Sequence, residues 1–327
     1  MRTKTCARSC ALAAGAVAAL VLSGCSGGTG TGTDGDQATG PTAVTVGVLP
    51  IVPSAAMQLG IDEGIFDEHG FDVTLETGQG GAALLPAVMS QEMDFALSNP
   101  LSVMLAQEQG LDVQLVTGYS HSKPEGDDVT SVWAAPGSGI ETPADLAGKT
   151  VAVNTLKTMG EVSIREIVAQ DGGDPASVEL VEMGFPDMPA ALDGGNVDAV
   201  WVPEPFQTQL AEGGNTRVSY NYQDVFPGVM TMGVITSGSL AEESPETVEA
   251  FTAAVDEVTA FAQENPDALS EALAGFLEMD PAVAEALVME DLRADIDADA
   301  MQTLADLSLA DDILTEPVDM DAFLPGE

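Results

Sequence analysis

Residues 44–49, Val44-Thr45-Val46-Gly47-Val48-Leu49, are followed by Pro53-Ser54 and an apolar stretch that runs toward His69-Gly70. The first run is short and rich in β-branched side chains, as in a buried strand, and Pro53-Ser54 open a helix. The same order then recurs. Phe71 to Glu76 alternates as a strand, and Gly78-Gln79-Gly80-Gly81 leads into a helix over 82–91. Met93 to Leu97 is a third strand, Ser98-Asn99-Pro100 its turn, and Leu101 to Gln109 the next helix. Strand followed by helix, three times over, implies parallel strands whose loops gather along one sheet edge.

Beyond this block, Val113 to Thr117 reads as a fourth strand, and 119–128 is a polar boundary segment containing Pro124 and Gly126. Thr130 to Ala134 is a strand, and a second cycle follows the turn at Pro136-Gly137-Ser138-Gly139. Its strands are Thr150 to Val153, Val178 to Val181 and Ala199 to Val202, with helices through Ile164 and Leu192 between them. Val218 to Tyr222 is expected at a sheet edge, and Val229 to Thr236 as a strand returning to the first lobe. Everything after Pro245 has helical period, with stops near Pro266, Pro281 and Pro317. The expected architecture is α/β: two lobes, 43–128 with 229–327 and 129–228, joined by two passes of the chain. A ligand cleft is expected between them, at the carboxyl ends of both sheets. Element order alone does not separate a binder from an enzyme.

The first residues address the compartment. Met1 to Arg8 is basic, Ala11 to Leu22 is apolar over signal-peptide rather than membrane-span length, and Leu22-Ser23-Gly24-Cys25 resembles a bacterial lipobox. Residues 1–24 are therefore read as a signal peptide and Cys25 as the lipidated residue. That would place the protein on the outer face of the cytoplasmic membrane, anchored but not spanning it. Cleavage would remove Cys6 and Cys10, leaving no partner for a disulfide, so about 280 ordered residues must hold themselves by their core. Residues 26–41 have the composition of a flexible tether.

The chain carries 53 acidic against 9 basic residues, a formal charge of −44. Such a field repels nucleic acid and anionic headgroups. Glu242-Glu243, Asp291, Asp295, Asp297, Asp299 and Asp311-Asp312 read as solvated helix faces, because no calcium loop of the Asp-x-Asp-x-Asp-Gly kind ending in Glu is present. Two histidines without a cysteine partner argue against a transition-metal site, and His69 is read as a helix-end residue. No Gly-x-Ser-x-Gly elbow stands between an expected strand and helix, and there is no Walker-type loop. No cofactor is expected.

Several blocks resemble one family. Val46-Gly47-Val48 with Ala55-Ala56-Met57-Gln58-Leu59-Gly60, then Glu63-Gly64-Ile65-Phe66 and Gly70-Phe71-Asp72-Val73, are similar to the opening of the sulfonate, nitrate, taurine and thiamine-precursor binding proteins of ABC importers. The likeness continues through Asp145 to Val153, Asp187 to Leu192, Gly195 to Ala199 and Glu204-Pro205-Phe206, so that it spans about Val44 to Val258. What the resemblance implies is a type II periplasmic-binding-protein fold, closure of two lobes on a small solute, and handover by a monomer to a permease with its ATPase. An enzyme on the same fold is the rival, and the export signal argues against it.

Candidate solute contacts lie on the loops at the expected cleft. Val52 and Ser54 follow the first strand. Gln79, Gly80 and Gly81 open a helix, where free N–H groups and the dipole suit an oxyanion, or where glycine serves a tight turn alone. Ser98 and Asn99 either reach the same point or simply cap the next helix. Across the cleft, Asn154, Thr155 and Met159 follow a second-lobe strand. Lys157 either pairs with an anionic solute or is a solvated surface charge. Trp201 and Glu204 combine an aromatic surface with a carboxylate, suited to an amine or amino-heterocycle; otherwise Trp201 is core and Glu204 binds the importer or a backbone amide. A zwitterion satisfies both sets.

Overall fold

The computed structural model describes residues 40–325. Signal peptide, Cys25 and most of the tether lie outside the described residues. Among the described residues eleven strands form two sheets. They are β1 (Thr42–Val48), β2 (Phe71–Thr77), β3 (Phe95–Ser98), β4 (Val113–His121), β5 (Thr130–Ala134), β6 (Thr150–Val153), β7 (Glu179–Glu182), β8 (Ala199–Pro203), β9 (Thr216–Ser219), β10 (Met230–Ser237) and β11 (Asp291–Leu292). The six-stranded sheet runs β11-β4-β10-β3-β1-β2 and the five-stranded sheet β7-β6-β8-β5-β9.

Both sheets are mixed, where strand-then-helix order had implied parallel pairing. β1 pairs parallel with β2 and β3, and β6 parallel with β7 and β8. Besides the edge strand β11, which pairs antiparallel with β4, the antiparallel members are those at the crossings. The chain leaves the first sheet after β4 and returns as β10, which enters between β3 and β4 antiparallel to both. In the second sheet β5, the strand of arrival, lies antiparallel to β8 and β9. A strand that enters or leaves a sheet directly, without a crossover helix, has to run against its neighbour.

Helix Pro245–Glu264 shows how the first sheet is covered. It buries Phe251, Ala254, Val255, Val258, Thr259 and Ala262, a spacing that places one stripe on the core. Phe251 stacks on Phe95 of β3 at 3.9 Å between centroids and meets Phe71 edge-on at 5.5 Å. Farther on, the helical expectation fails. Helices Pro266–Phe276, Pro281–Ala284 and Ala298–Ala310 form, but residues 285–297 are irregular except for β11. Here the chain pairs with β4, Asp291 opposite His121, in preference to its local helical pattern. Asp297 ends the irregular stretch by accepting the N–H groups of Asp299 and Ala300 at 3.0 Å, and Asp295 pairs with Arg293 at 2.7 Å. Helix Ala298–Ala310 then packs against helices Pro100–Glu108 and Met159–Gln170, one from each sheet's side. Among the described residues no helix is long and apolar enough to cross a membrane.

Candidate ligand-binding site

The carboxyl ends of β1, β2, β3, β6, β7 and β8 all open toward one cavity of about 40 Å³. Leu49, Ile51 and Pro53 follow β1, Gly81 follows β2 and Asn99 follows β3; Asn154 and Thr158 follow β6, Phe185 follows β7, and Trp201 and Pro203 end β8. The remaining wall comes from Thr130, Tyr222, Thr231, Met232 and Glu290.

Two helices start at this cavity without a side-chain cap, Gly81–Met89 from the first sheet and Met159–Gln170 from the second. Uncapped first turns leave N–H donors and the positive end of the dipole for another acceptor. Gly81 is required for packing. A Cβ there would lie 2.5 Å from Ser98 Oγ and 2.7 Å from Ser98 Cα, so the helix start could not sit this close to β3. The third helix differs. Asn99 caps Pro100–Glu108, its Oδ1 accepting Ser102 N–H at 3.0 Å while its Nδ2 donates to Ser102 Oγ at 2.9 Å.

The cleft is narrow. A Cβ on Gly80 would lie 3.1 Å from Asn154 Nδ2 and 3.2 Å from Thr155 Oγ1, and one on Gly184 would lie 3.2 Å from Gln79 Oε1. Loops of the two sheets thus touch at the rim while the cavity persists beneath them. Its second wall is aromatic: Trp201 meets Phe185 at 5.6 Å and 62°, and Tyr222 at 5.6 Å and 46°. Trp201 Nε1 and Thr130 Oγ1 are buried without a hydrogen-bond partner among the described residues, and such groups are rare unless a bound molecule completes them.

Of the residues singled out in the sequence, Gly81, Asn99, Asn154 and Trp201 line the cavity. Gln79, Gly80 and Thr155 stand at the rim. Val52, Ser54, Ser98 and Met159 are buried and outside the lining; Ser54 Oγ accepts Leu49 N–H at 3.2 Å and shapes the loop from within. Two more lie outside the lining, in the second of the two roles the sequence left open for each. Lys157 is exposed and not in the lining, in a left-handed turn with φ 56° where its N–H donates to Glu161. Glu204 is turned into the protein. Its carboxylate accepts from Gln207 Nε2 at 3.0 Å, Thr208 Oγ1 at 2.9 Å, and the N–H groups of Thr208 and Val288 at 3.2 Å.

The acid in the lining is Glu290. It is 7% exposed, and its side chain meets two hydroxyls, Ser120 Oγ and Thr231 Oγ1, the second donating at a long 3.3 Å. Burial, reinforced by the nearby Asp128 charge, pushes its carboxyl up to about 8. Asp128 is itself raised by burial, although Ser122 Oγ and Lys123 N–H donate to it at 2.7 and 2.8 Å. Nothing in the sequence marks Glu290, because its segment has helical period. Phe185 could have been found by the sheet-edge rule that found Asn154.

The histidines have other roles. His69 Nε2 lies 2.8 Å from Glu257 of the long helix. His121 is buried with no hydrogen-bond partner on either ring nitrogen among the described residues, and burial, followed by the Arg293 charge, lowers it to about 4. Among the described residues no group of His, Cys, Asp or Glu is arranged to hold a metal.

Comparison with known proteins agrees with this geometry. A protein of Brucella abortus named as a binding protein is 23% identical over 227 residues, 68% of each chain. The taurine-binding periplasmic protein of Escherichia coli is 27% identical over 187 residues, 56% of this chain and 55% of that one. Among solved structures, the alkanesulfonate-binding protein SsuA of Xanthomonas axonopodis, bound to MOPS, superposes with a TM-score of 0.73 at 18% identity, over 87% of this chain and 98% of that one. The desulfurization enzyme DSZB shares the fold too, with a TM-score of 0.64 at 16% identity over 88% and 97%. The family described as NMT1/THI5 like matches residues 54–269. With two mixed α/β sheets facing one cleft in the manner of the periplasmic binding proteins, the chain is a member of the NMT1/THI5-like family.

Proposed function

We propose that this protein is the extracytoplasmic solute receptor of an ABC importer, held to the membrane through lipidated Cys25. It takes a small sulfonate-like, nitrate-like or zwitterionic solute between lobes 43–128 with 229–327 and 129–228, and the closed monomer hands it to the permease. The carrying observation is the pair of uncapped helix starts that meet one cavity from opposite sheets. An oxyanion between them draws on both dipoles, so its binding favours the shut arrangement over the open one. A volume of about 40 Å³ suits a solute of a few non-hydrogen atoms. The aromatic wall of Trp201, Phe185 and Tyr222 supports a second reading, an amino-substituted heterocycle in the same role. No residue of the cavity is arranged as a nucleophile with its base, which favours binding over catalysis on this fold.

Thermal melting with sulfonates, nitrate, taurine and pyrimidines, followed by calorimetric titration of the hits, tests the proposal. A solute present at a hundredfold excess over its Kd stabilises the fold by about 2.7 kcal/mol. Stabilisation by an oxyanion-bearing solute, with no turnover, is expected. A response to heterocycles alone would select the second reading, and turnover of a bound compound would make the protein an enzyme.

A further inference from the structure

We propose that Glu290 receives a protonated amine of the solute, so that the oxyanion-bearing molecule this cavity takes is an aminated one. The inference rests on the binding role proposed above and narrows its substrate class.

The argument is one of unmatched partners. A buried carboxyl group is expensive unless donors surround it. Glu204 has four. Glu290 is almost as deeply buried, has no ion-pair partner among the described residues, and meets two hydroxyls, Ser120 Oγ and Thr231 Oγ1, the second at 3.3 Å, which also share a hydrogen bond with each other at 2.7 Å. Glu290 lines the cavity, whose wall contains no lysine or arginine. A cationic N–H group on the solute is the partner that this arrangement lacks.

The charge pattern agrees. The uncapped helix starts receive negative charge, and Glu290 enters from the C-terminal segment to receive positive charge. The groups that bear on Glu290 are Asp128, which opposes its ionisation, Lys123, which favours it, and the Tyr119 and Tyr222 hydroxyls, both held neutral by burial. Without a cation in the cavity the acid keeps its proton at neutral pH; an ammonium group displaces that proton.

A rival role has the opposite pH signature. Protonated Glu290 could donate to the oxyanion itself, and affinity would then fall as pH rises through about 8. An amine receptor instead binds more tightly from pH 6 to 8.

Calorimetric titration of the purified full-length protein with two matched pairs separates these cases. The first pair is 2-aminoethanesulfonate and 2-hydroxyethanesulfonate; the second is 4-aminopyrimidine and 4-methylpyrimidine. The expected result is roughly a ten- to hundredfold preference for the aminosulfonate over its hydroxyl analogue. In E290Q that preference should be abolished, while the hydroxyl analogue changes less than about threefold. Equal affinity for the two sulfonates, a preference that survives E290Q, or wild-type affinity that falls with pH would overturn the role of Glu290 and leave the binding role standing. Preference for the aminopyrimidine with no sulfonate bound would uphold Glu290 as amine receptor and remove the oxyanion. If none of the four binds, both readings fail. Should E290Q not fold, the wild-type pH profile and the two preferences decide on their own.

Discussion

Glu204 directly follows β8 of the five-stranded sheet, and Glu290 lies on the irregular C-terminal segment beside the six-stranded one. Both are buried carboxylates, and they are provided for in different ways. Around Glu204 the sequence itself supplies a local cage, since Gln207 and Thr208 lie within one helical turn and only Val288 comes from afar. Around Glu290 the neighbours are Thr231, Ser120 and a second acid, Asp128, all distant in sequence. The number of donors within reach is what makes the first a structural group and leaves the second available to a guest.

The largest expected effect falls on the first acid. E204A strands Gln207, Thr208 and the Val288 amide in a dry interior and should lower stability by about 3 kcal/mol, read from denaturant midpoints at constant m. A loss below about 1 kcal/mol would mean that water replaces the carboxylate and that the contrast between the two acids is false.

The second acid should show itself in pH dependence. Below its ordinary value of 4.5, Glu290 is neutral in the folded and unfolded chain alike, and its full contribution is present. As pH rises toward and through about 8, the unfolded chain releases the proton that the fold retains, so this contribution is progressively lost. Stability of wild type relative to E290Q should therefore decline between about pH 5 and 8 in ligand-free protein. A flat difference would show Glu290 to be hydrated.

The smallest effect is expected at Lys157. As an exposed side chain outside the lining, it should change stability by less than about 0.5 kcal/mol on substitution by alanine and leave solute affinity within about twofold. A tenfold loss of affinity in K157A would restore cationic recognition and undo the assignment of charge to Glu290.

What could be read in advance follows from how local the determinants are. Val44 to Leu49, Thr130 to Ala134 and Thr150 to Val153 have patterns complete within a few residues, and each strand forms within two residues of its expected bounds. The sheet-edge rule placed Gly81, Asn99, Asn154 and Trp201 at the cavity, because each lies in the carboxyl half of a strand or within four residues after it. Local pattern misled at residues 285–297, where apolar spacing reads as helix but pairing with β4 prevails, and Glu290 was lost with it. Glu204 misled in the opposite sense: its position at a strand end is right, but three donors that follow it closely in the chain turn the side chain inward. For Asp297, among the acids read as solvated faces, the structure assigns a further role as a helix cap.

The hydrogen bond from Val288 to Glu204 joins a segment that belongs to one sheet with the tip of a strand from the other. In the receptor role proposed above, parting the lobes would stretch that fastener and let solvent reach both acids. The stretch of chain that presents Glu290 would then be coupled to the swing of the lobes, and its proton affinity would fall as they part.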